Sequence, residues 1–411
     1  MKVVHIATML RGGAGIAALR IHQSLLSYAP DVTSYFIQKD PVTDSNDIER
    51  NIHQCTHYHN LYYRIVNKLG LKPYLTKEGY FRRIISKYPK NYEIATLPLS
   101  YYPIENHPLI KDADIIHLHW IGNFINYPSF FKKIKQPIVC TTHDPNPFLG
   151  IFHYEGDVLR NQGSLGKLEN KAINIKYRCT HTHNNIHIAC PSEWVKQKSE
   201  VSYILGDFPH YYIPYGIEEK NYPLLDKVAL KEKFKLNNGK KTILFIAFDI
   251  QLPRKGLDLL IEAVNNIDPN KFNLISVGHG NKISINSKIN FQQYENIKDI
   301  SELNKIYAVA DVTIVPSRED MFNQVMLESL INGTPVISFS NGGMAEHIKT
   351  GQNGILIDEI NSQSLRLEIE NFLNDKYSFE EPYIIRDYPI TTLNNQLQAK
   401  RYTELYNKIL A

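Results

Sequence analysis

Asp320 and Glu328 are two carboxylates eight residues apart in the stretch 310–343, ADVTIVPSREDMFNQVMLESLINGTPVISFSNGG. Eight residues measure about 12 Å along a helix, and the unpaired N–H groups at a helix mouth attract phosphate. A lysine with an arginine beside it stands in Pro253-Arg254-Lys255-Gly256, a cationic loop of the kind that stabilises charge on a leaving group. His143 follows an apolar run at 137–142. Each group also has a plainer reading. Asp320 would suit a helix cap, Glu328 a solvated face, the basic loop an ordinary helix entry, and His143 a loop residue satisfying backbone groups.

Hydrophobic spacing supplies the elements that would hold these groups. Residues 312–315 read as a short buried strand ended by Pro316-Ser317. Phe322, Val325, Met326, Ser329 and Leu330 recur at spacings of three and four, one face of a helix that Asn332-Gly333 closes. A strand at 334–339 and the turn Asn341-Gly342-Gly343 complete a strand, helix, strand unit. Before it come strands at 241–248, 272–277 and 291–294 and helices at 256–265 and 300–309, an alternation that predicts a parallel doubly wound sheet. The first half alternates likewise. A strand at 3–8 leads through Arg11-Gly12-Gly13-Ala14-Gly15 to a helix at 16–28, and strands follow at 32–38, 113–120, 137–142 and 186–190. Gly12 and Gly13 let backbone approach a ligand closely, although the spacing is not the GxGxxG of a dinucleotide fingerprint. His117 and His119 share a strand face in ADIIHLHW. They read as metal ligands or, lacking a third at sensible spacing, as strand-end polar contacts; His181, His183 and His187 read the same way.

Composition bounds the function. The chain has 411 residues, long enough for two cores. Its 43% hydrophobic and 21% charged content is that of a soluble globular protein, and a net charge of +4 makes no case for nucleic acid. Cys140 and Cys190 fall in apolar strands and none of the four cysteines forms a CxxC, as expected of reduced core thiols in a cytoplasmic protein. The opening MKVVHIATML is too short for a signal peptide, and no apolar run reaches the length of a membrane span. Between 61 and 92, Arg64, Lys68, Lys72, Lys77, Arg82, Arg83, Lys87 and Lys90 alternate with Tyr62, Tyr63, Tyr74, Tyr80, Phe81 and Tyr88, with Glu78 the sole acid. That composition suits either an anionic membrane surface or phosphate-bearing acceptor, or an ordinary solvated helix pair.

The acid-x7-acid spacing, the GTPVI strand and the Gly-Gly turn together resemble retaining GT-B glycosyltransferases, most closely glycosyltransferase family four. HLHW…THDPNPF resembles members that build surface polysaccharides, Gly351 with Gly354-Ile355-Leu356 resembles the G-x-x-G-x-L strand, and Tyr212-Ile213-Pro214-Tyr215-Gly216 resembles the interdomain connection. The resemblance implies an α/β GT-B fold, two Rossmann-like doubly wound parallel-sheet domains facing across a cleft. Residues 1–215 would bind acceptor, joined by a last helix at about 393–411 crossing back, and 216–392 would bind a nucleotide-diphospho-sugar. It implies that Lys255 faces the diphosphate, that Gly12, Gly13, Arg254, Phe322, Asn323, Gln324, Val325 and Glu328 bind donor, with Glu328 on the ribose, and that Asp320 and His143 orient the sugar. No metal or other cofactor is expected. The acceptor would be a glycan or lipid-linked hydroxyl, met in the cytoplasm or at the inner face of the membrane through 61–92. The sequence departs from the family at Asp320, where glutamate is usual; at Met321-Phe322-Asn323, where Gly-Phe-Gly is usual; and at Ile250, where an arginine is usual. Two other readings share these residues: a GT-B nucleotide-sugar epimerase and a catalytically silent GT-B scaffold.

Overall fold

The computed structural model describes residues 1–41, 50–56, 61–71, 76–236 and 239–411, the side chains of 61–64 excepted. Of the basic–aromatic stretch, Lys72 and Tyr74 and the side chains of Tyr62, Tyr63 and Arg64 therefore lie outside the described residues. The chain divides into two compact units, Met1–Pro214 with Gln398–Ala411, and Tyr215–Leu397.

Unit one is built on seven parallel strands, β1 (Lys2–Ile6), β2 (Thr33–Gln38), β3 (Ile52–Gln54), β4 (Ile115–Leu118), β5 (Ile138–Thr141), β6 (Ile186–Cys190) and β7 (His210–Tyr212), in the order β3-β2-β1-β4-β5-β6-β7. The order reverses direction between β1 and β4, and ligands of open α/β sheets bind at the carboxyl ends of the strands flanking such a switch point. β-Branched and aromatic side chains of these strands are buried on both faces, as parallel sheets require. The helix Asn395–Leu410 covers one face by burying Ala399, Tyr402 and Tyr406, at spacings of three and four, against Val3, Ile115 and Val139.

Unit two holds six parallel strands, β8 (Lys241–Asp249), β9 (Phe272–His279), β10 (Asn290–Tyr294), β11 (Val312–Val315), β12 (Val336–Phe339) and β13 (Gly354–Ile357), ordered β10-β9-β8-β11-β12-β13. Its switch point lies between β8 and β11. Ile243, Phe245, Leu260, Val264, Ile314 and Ile337 are among the buried residues of its core, each contributing about 1.5–3 kcal/mol on burial. Two doubly wound parallel-sheet units are what the alternation of strands and helices predicts.

The differences are local. The helix expected at 16–28 runs Gly12–Tyr28, so Gly12 and Gly13 form its first turn instead of a loop before it. β3 and β7 have three residues each, too few to show a period. The helix expected from 256 begins at Leu257, because Gly256 is left-handed at φ 73°. A Cβ at Gly256 would stand 1.9 Å from the Pro316 carbonyl oxygen, so glycine there lets the β8 and β11 loops touch. Gly256→Ala should lose more than the roughly 1–2 kcal/mol of left-handed strain, whereas Gly351→Ala, at φ 83° with nothing within 4 Å of its Cβ, should lose the strain alone. Urea unfolding of the two variants measures the difference; equal losses would contradict the close approach.

Candidate functional site

The loops after β8 and β11 meet at the switch point of unit two. Arg318 donates its backbone N–H to the Arg254 carbonyl at 2.8 Å, and Arg254 Nη1 donates to the Glu319 carbonyl at 3.1 Å. The Arg318 guanidinium forms a two-pronged pair with Asp258 at 2.8 and 2.5 Å, which holds the Asp258 carboxyl below its ordinary range.

Asp320 is the centre of this site. Its Oδ2 lies 2.7 Å from Lys255 Nζ and 3.7 Å from Arg254 Nη1, and accepts from Asn323 Nδ2 at 2.9 Å. The Asp320 side chain is 12% exposed. Burial pushes its pKa up, but the Lys255 and Arg254 charges and the hydrogen bonds from Lys255 and Asn323 bring it below the ordinary value. Asn323 carries the contact onward: its Oδ1 accepts from the Met326 N–H at 3.0 Å and caps the helix Gln324–Ile331. The cap is therefore Asn323 and not Asp320. Asp320 stands ahead of the helix, so its eight-residue spacing to Glu328 is not a distance along one helix.

Glu328 is half-buried on that helix, accepting from Tyr307 Oη at 3.0 Å (Oε2) and from Tyr222 Oη at 3.5 Å (Oε1). Met321 and Phe322 are buried. Phe322 packs edge-on to Tyr215 and against His347, ring centroids 4.9 Å apart in both pairs, so its side chain is committed to packing. Gln324 and Val325 form the first helical turn, with Val325 against the core around Leu244 and Tyr307. A Cβ at Gly342 would fall 1.8 Å from the Asp320 carbonyl oxygen, which explains the glycine in the turn after β12. Unit two thus gathers Arg254, Lys255, Asp320 and Asn323 into one knot with Glu328 on the adjoining helix. His143, Gly12 and Gly13 belong to unit one.

In unit one, Gly12 and Gly13 open the helix after β1, and a Cβ at either would meet nothing within 4 Å. His143 follows β5; its Nε2 lies 2.9 Å from His119 Nδ1. Burial lowers its pKa to about 4 against the opposing charge of Asp144. Asp144 Oδ2 accepts from Trp120 Nε1 at 2.7 Å and lies 2.6 Å from His153 Nδ1, and Oδ1 accepts from the Asn146 N–H at 2.9 Å. Sequence reasoning passed over Lys176, whose Nζ donates to the carbonyls of Asn146 and Leu149 at 2.5 and 2.9 Å and so pins the loop after His143. Burial lowers the Lys176 pKa to about 7. The available signal was a lysine on the apolar stripe Leu165, Leu168, Ala172 of the helix Glu155–Thr180.

Residues 240–375 match the family model described as Glycosyl transferases group 1. This part of the chain is similar to group 1 glycosyltransferases. A glycogen synthase of Thermotoga maritima is 27% identical to this chain over 218 residues, 49% of the chain and 45% of the relative, so the match spans under half of that relative's length. An uncharacterized glycosyltransferase of Methanocaldococcus jannaschii is 29% identical over 295 residues, 68% of this chain and 70% of the other. Among solved structures, Anabaena HepE in complex with UDP-glucose superposes with a TM-score of 0.66 at 15% identity, covering 99% of this chain and 100% of that one. That likeness is one of fold, and with the two doubly wound sheets it gives the chain a GT-B fold.

Lys255→Met would leave Asp320 buried beside a weakened positive field. It should lose about 1–3 kcal/mol at neutral pH, and Lys255→Met with Asp320→Asn should recover most of that. The folded carboxyl titrates below its unfolded value of about 4, so the pairing is fully stabilising above that value and fades as pH falls through the depressed one. Urea unfolding near neutral pH and at about pH 3 checks both statements; a variant gap unchanged in acid would contradict them.

Proposed function

We propose that the chain is a retaining glycosyltransferase that moves a sugar from a nucleotide-diphospho-sugar to a hydroxyl of a glycan or lipid-linked acceptor, in the making of a surface polysaccharide or glycoconjugate. The observation that carries this is the knot of Lys255, Arg254 and Asn323 on Asp320, set at the mouth of a helix and at the switch point of a group 1 domain. The HepE complex with UDP-glucose supports a nucleotide-diphosphate donor.

A diphosphate carries more negative charge than the single carboxylate that Lys255 now faces. Its arrival would draw Lys255 and Arg254 onto the leaving oxygens, where stabilising developing charge is the largest electrostatic contribution to such a reaction. Asp320, released from part of its pairing, would then accept from hydroxyls of the donor sugar. Glu328, braced by Tyr307 and Tyr222, would hold the ribose hydroxyls. With Phe322 packed away, Asn323, Gln324 and Val325 would meet the phosphates through backbone N–H groups. His143 would contact the sugar, and Gly12 and Gly13 would offer open backbone to the diphosphate. The positive charge comes from these side chains, so we read the reaction as metal-independent, with the acceptor attacking from the face the diphosphate leaves. Unit one would hold the acceptor and unit two the donor.

The basic–aromatic segment supports work at the inner face of a membrane. Arg83 lies over the Tyr80 ring, while Lys171 of the helix Glu155–Thr180 lies over Tyr80 and Phe81 at 5.8 and 5.0 Å. Lys171 also lines, with Lys167 and Arg178, a groove of about 560 Å³ on the same unit. No helix among the described residues is long and apolar enough to cross a membrane.

Thermal-shift screening with UDP, GDP and ADP should show stabilisation by one of them, and Lys255→Ala and Glu328→Ala should each abolish transfer while remaining folded. Full transfer by both variants would overturn the site, and no stabilisation by any nucleotide would favour a silent scaffold. Arg82→Glu with Arg83→Glu should weaken binding to phosphatidylglycerol vesicles by at least about thirtyfold, from about 1 kcal/mol per basic side chain lost. Unchanged vesicle binding would contradict the membrane role.

A further inference from the structure

The switch point of unit one carries a line of histidines of which the proposed chemistry uses only His143. His5 lies on β1, His119 just beyond β4 and His143 beyond β5. His5 Nδ1 is 2.8 Å from His119 Nε2, and His119 Nδ1 is 2.9 Å from His143 Nε2. His5 and His119 are fully buried and stacked, ring centroids 5.1 Å apart, while His143 retains an exposed edge.

The three rings together permit few proton arrangements. A neutral imidazole carries one N–H, and each N···N contact needs one hydrogen between its two nitrogens. Only two arrangements satisfy both contacts. Either every ring donates outward through Nδ1, towards His143, or every ring donates inward through Nε2. The inward arrangement leaves an N–H on His5 Nε2, a buried atom with no partner among the described residues. A buried orphan N–H is rare and costly. The outward arrangement leaves only a lone pair there and places the His143 proton on Nδ1.

We propose that His5 and His119 are positioning residues that lock His143 as its Nδ1–H tautomer, making it a fixed hydrogen-bond donor to an oxygen of the bound donor sugar instead of a general base. The proposal rests on the reading of His143 as a sugar contact. The groups facing the line are His22 from the helix Gly12–Tyr28, His117 on β4, Asp144 beside His143, and Tyr402 and Tyr406, whose hydroxyls bond Thr141 and His117. Burial depresses His5, His119 and His143, so the line stays neutral at physiological pH.

The same region offers a trihistidine metal constellation, since one nitrogen each of His5, His117 and His119 lie within 4.8 Å of one another. His119 already uses both nitrogens on His5 and His143. His117 uses both on Tyr406 Oη and Thr141 Oγ1, each at 2.7 Å. Of the six nitrogens in that cluster, five are hydrogen-bonded, and a cation would have to break several of these contacts. The hydrogen-bonded line fits the geometry better.

Long-range ¹H–¹⁵N correlation on the full chain labelled with ¹⁵N-histidine tests this without reference to transfer. His5, His119 and His143 should all show protonated Nδ1 and bare Nε2, unchanged from about pH 5.5 to 8. His119→Phe should release His143 into a tautomer mixture. His119→Asn, whose amide nitrogen replaces Nδ1, should restore the Nδ1–H form. In a transfer assay the Phe variant should lose about tenfold in kcat, the worth of one hydrogen bond, and the Asn variant should regain it. A His143 protonated on Nε2, a titration near its ordinary pKa, or a stoichiometric divalent ion in the purified protein would overturn the proposal, even where the variants fail to fold. Absence of transfer by a wild type showing the expected tautomers would count instead against the function proposed above.

Discussion

A buried carboxylate must be compensated, and in unit two the compensation of Asp320 organises everything around it. Lys255 and Arg254 arrive from the end of β8, and Asn323 from the helix following β11. Neither loop could deliver the pair alone. The crossover order that makes β8 and β11 neighbours brings a cation and an anion distant in sequence to within 2.7 Å. The same knot fixes the helix mouth through the Asn323 cap, so the charges, the capped amides and Glu328 are held in one frame. Such a frame suits a ligand richer in negative charge than the carboxylate it would displace.

Unit one repeats the topology with opposite chemistry. Its switch point is filled by neutral imidazoles in hydrogen-bonded series and by hydroxyls of Tyr402 and Tyr406 from the last helix. Burial holds the rings uncharged, which lets a polar line cross an apolar core. One unit therefore presents neutral hydrogen-bonding groups and the other presents fixed charge. That division matches a reaction in which a sugar is oriented by hydrogen bonds while its leaving group is stabilised by cations.

Much of this was legible in the sequence, for identifiable reasons. The apolar strands and the 3.6-residue face of the helix Gln324–Ile331 are periodic signals, and Asn332-Gly333 marks its end as expected. β3 and β7 are too short to register, and the helix after β1 starts at Gly12, ahead of its first apolar repeat at Ile16. By type Asp320 and Asn323 are both good caps; the structure gives the cap to Asn323, while Lys255 arriving from β8 takes Asp320. His5 was unreadable as a partner of His119: the strands that bring them together are 114 residues apart in sequence. Lys176 was hidden by its type, since a lysine on an apolar stripe usually reads as an edge of the face, not as a buried clip.

The central claim is that Lys255 recognises a diphosphate. Calorimetric titration of the tightest-binding nucleoside diphosphate against its parent nucleoside, in wild type and Lys255→Ala, isolates that contribution. The account predicts that the diphosphate binds at least about a hundredfold tighter in wild type and that most of this advantage disappears without Lys255. Equal affinity for nucleoside and diphosphate in wild type, or an undiminished preference in the variant, would contradict it.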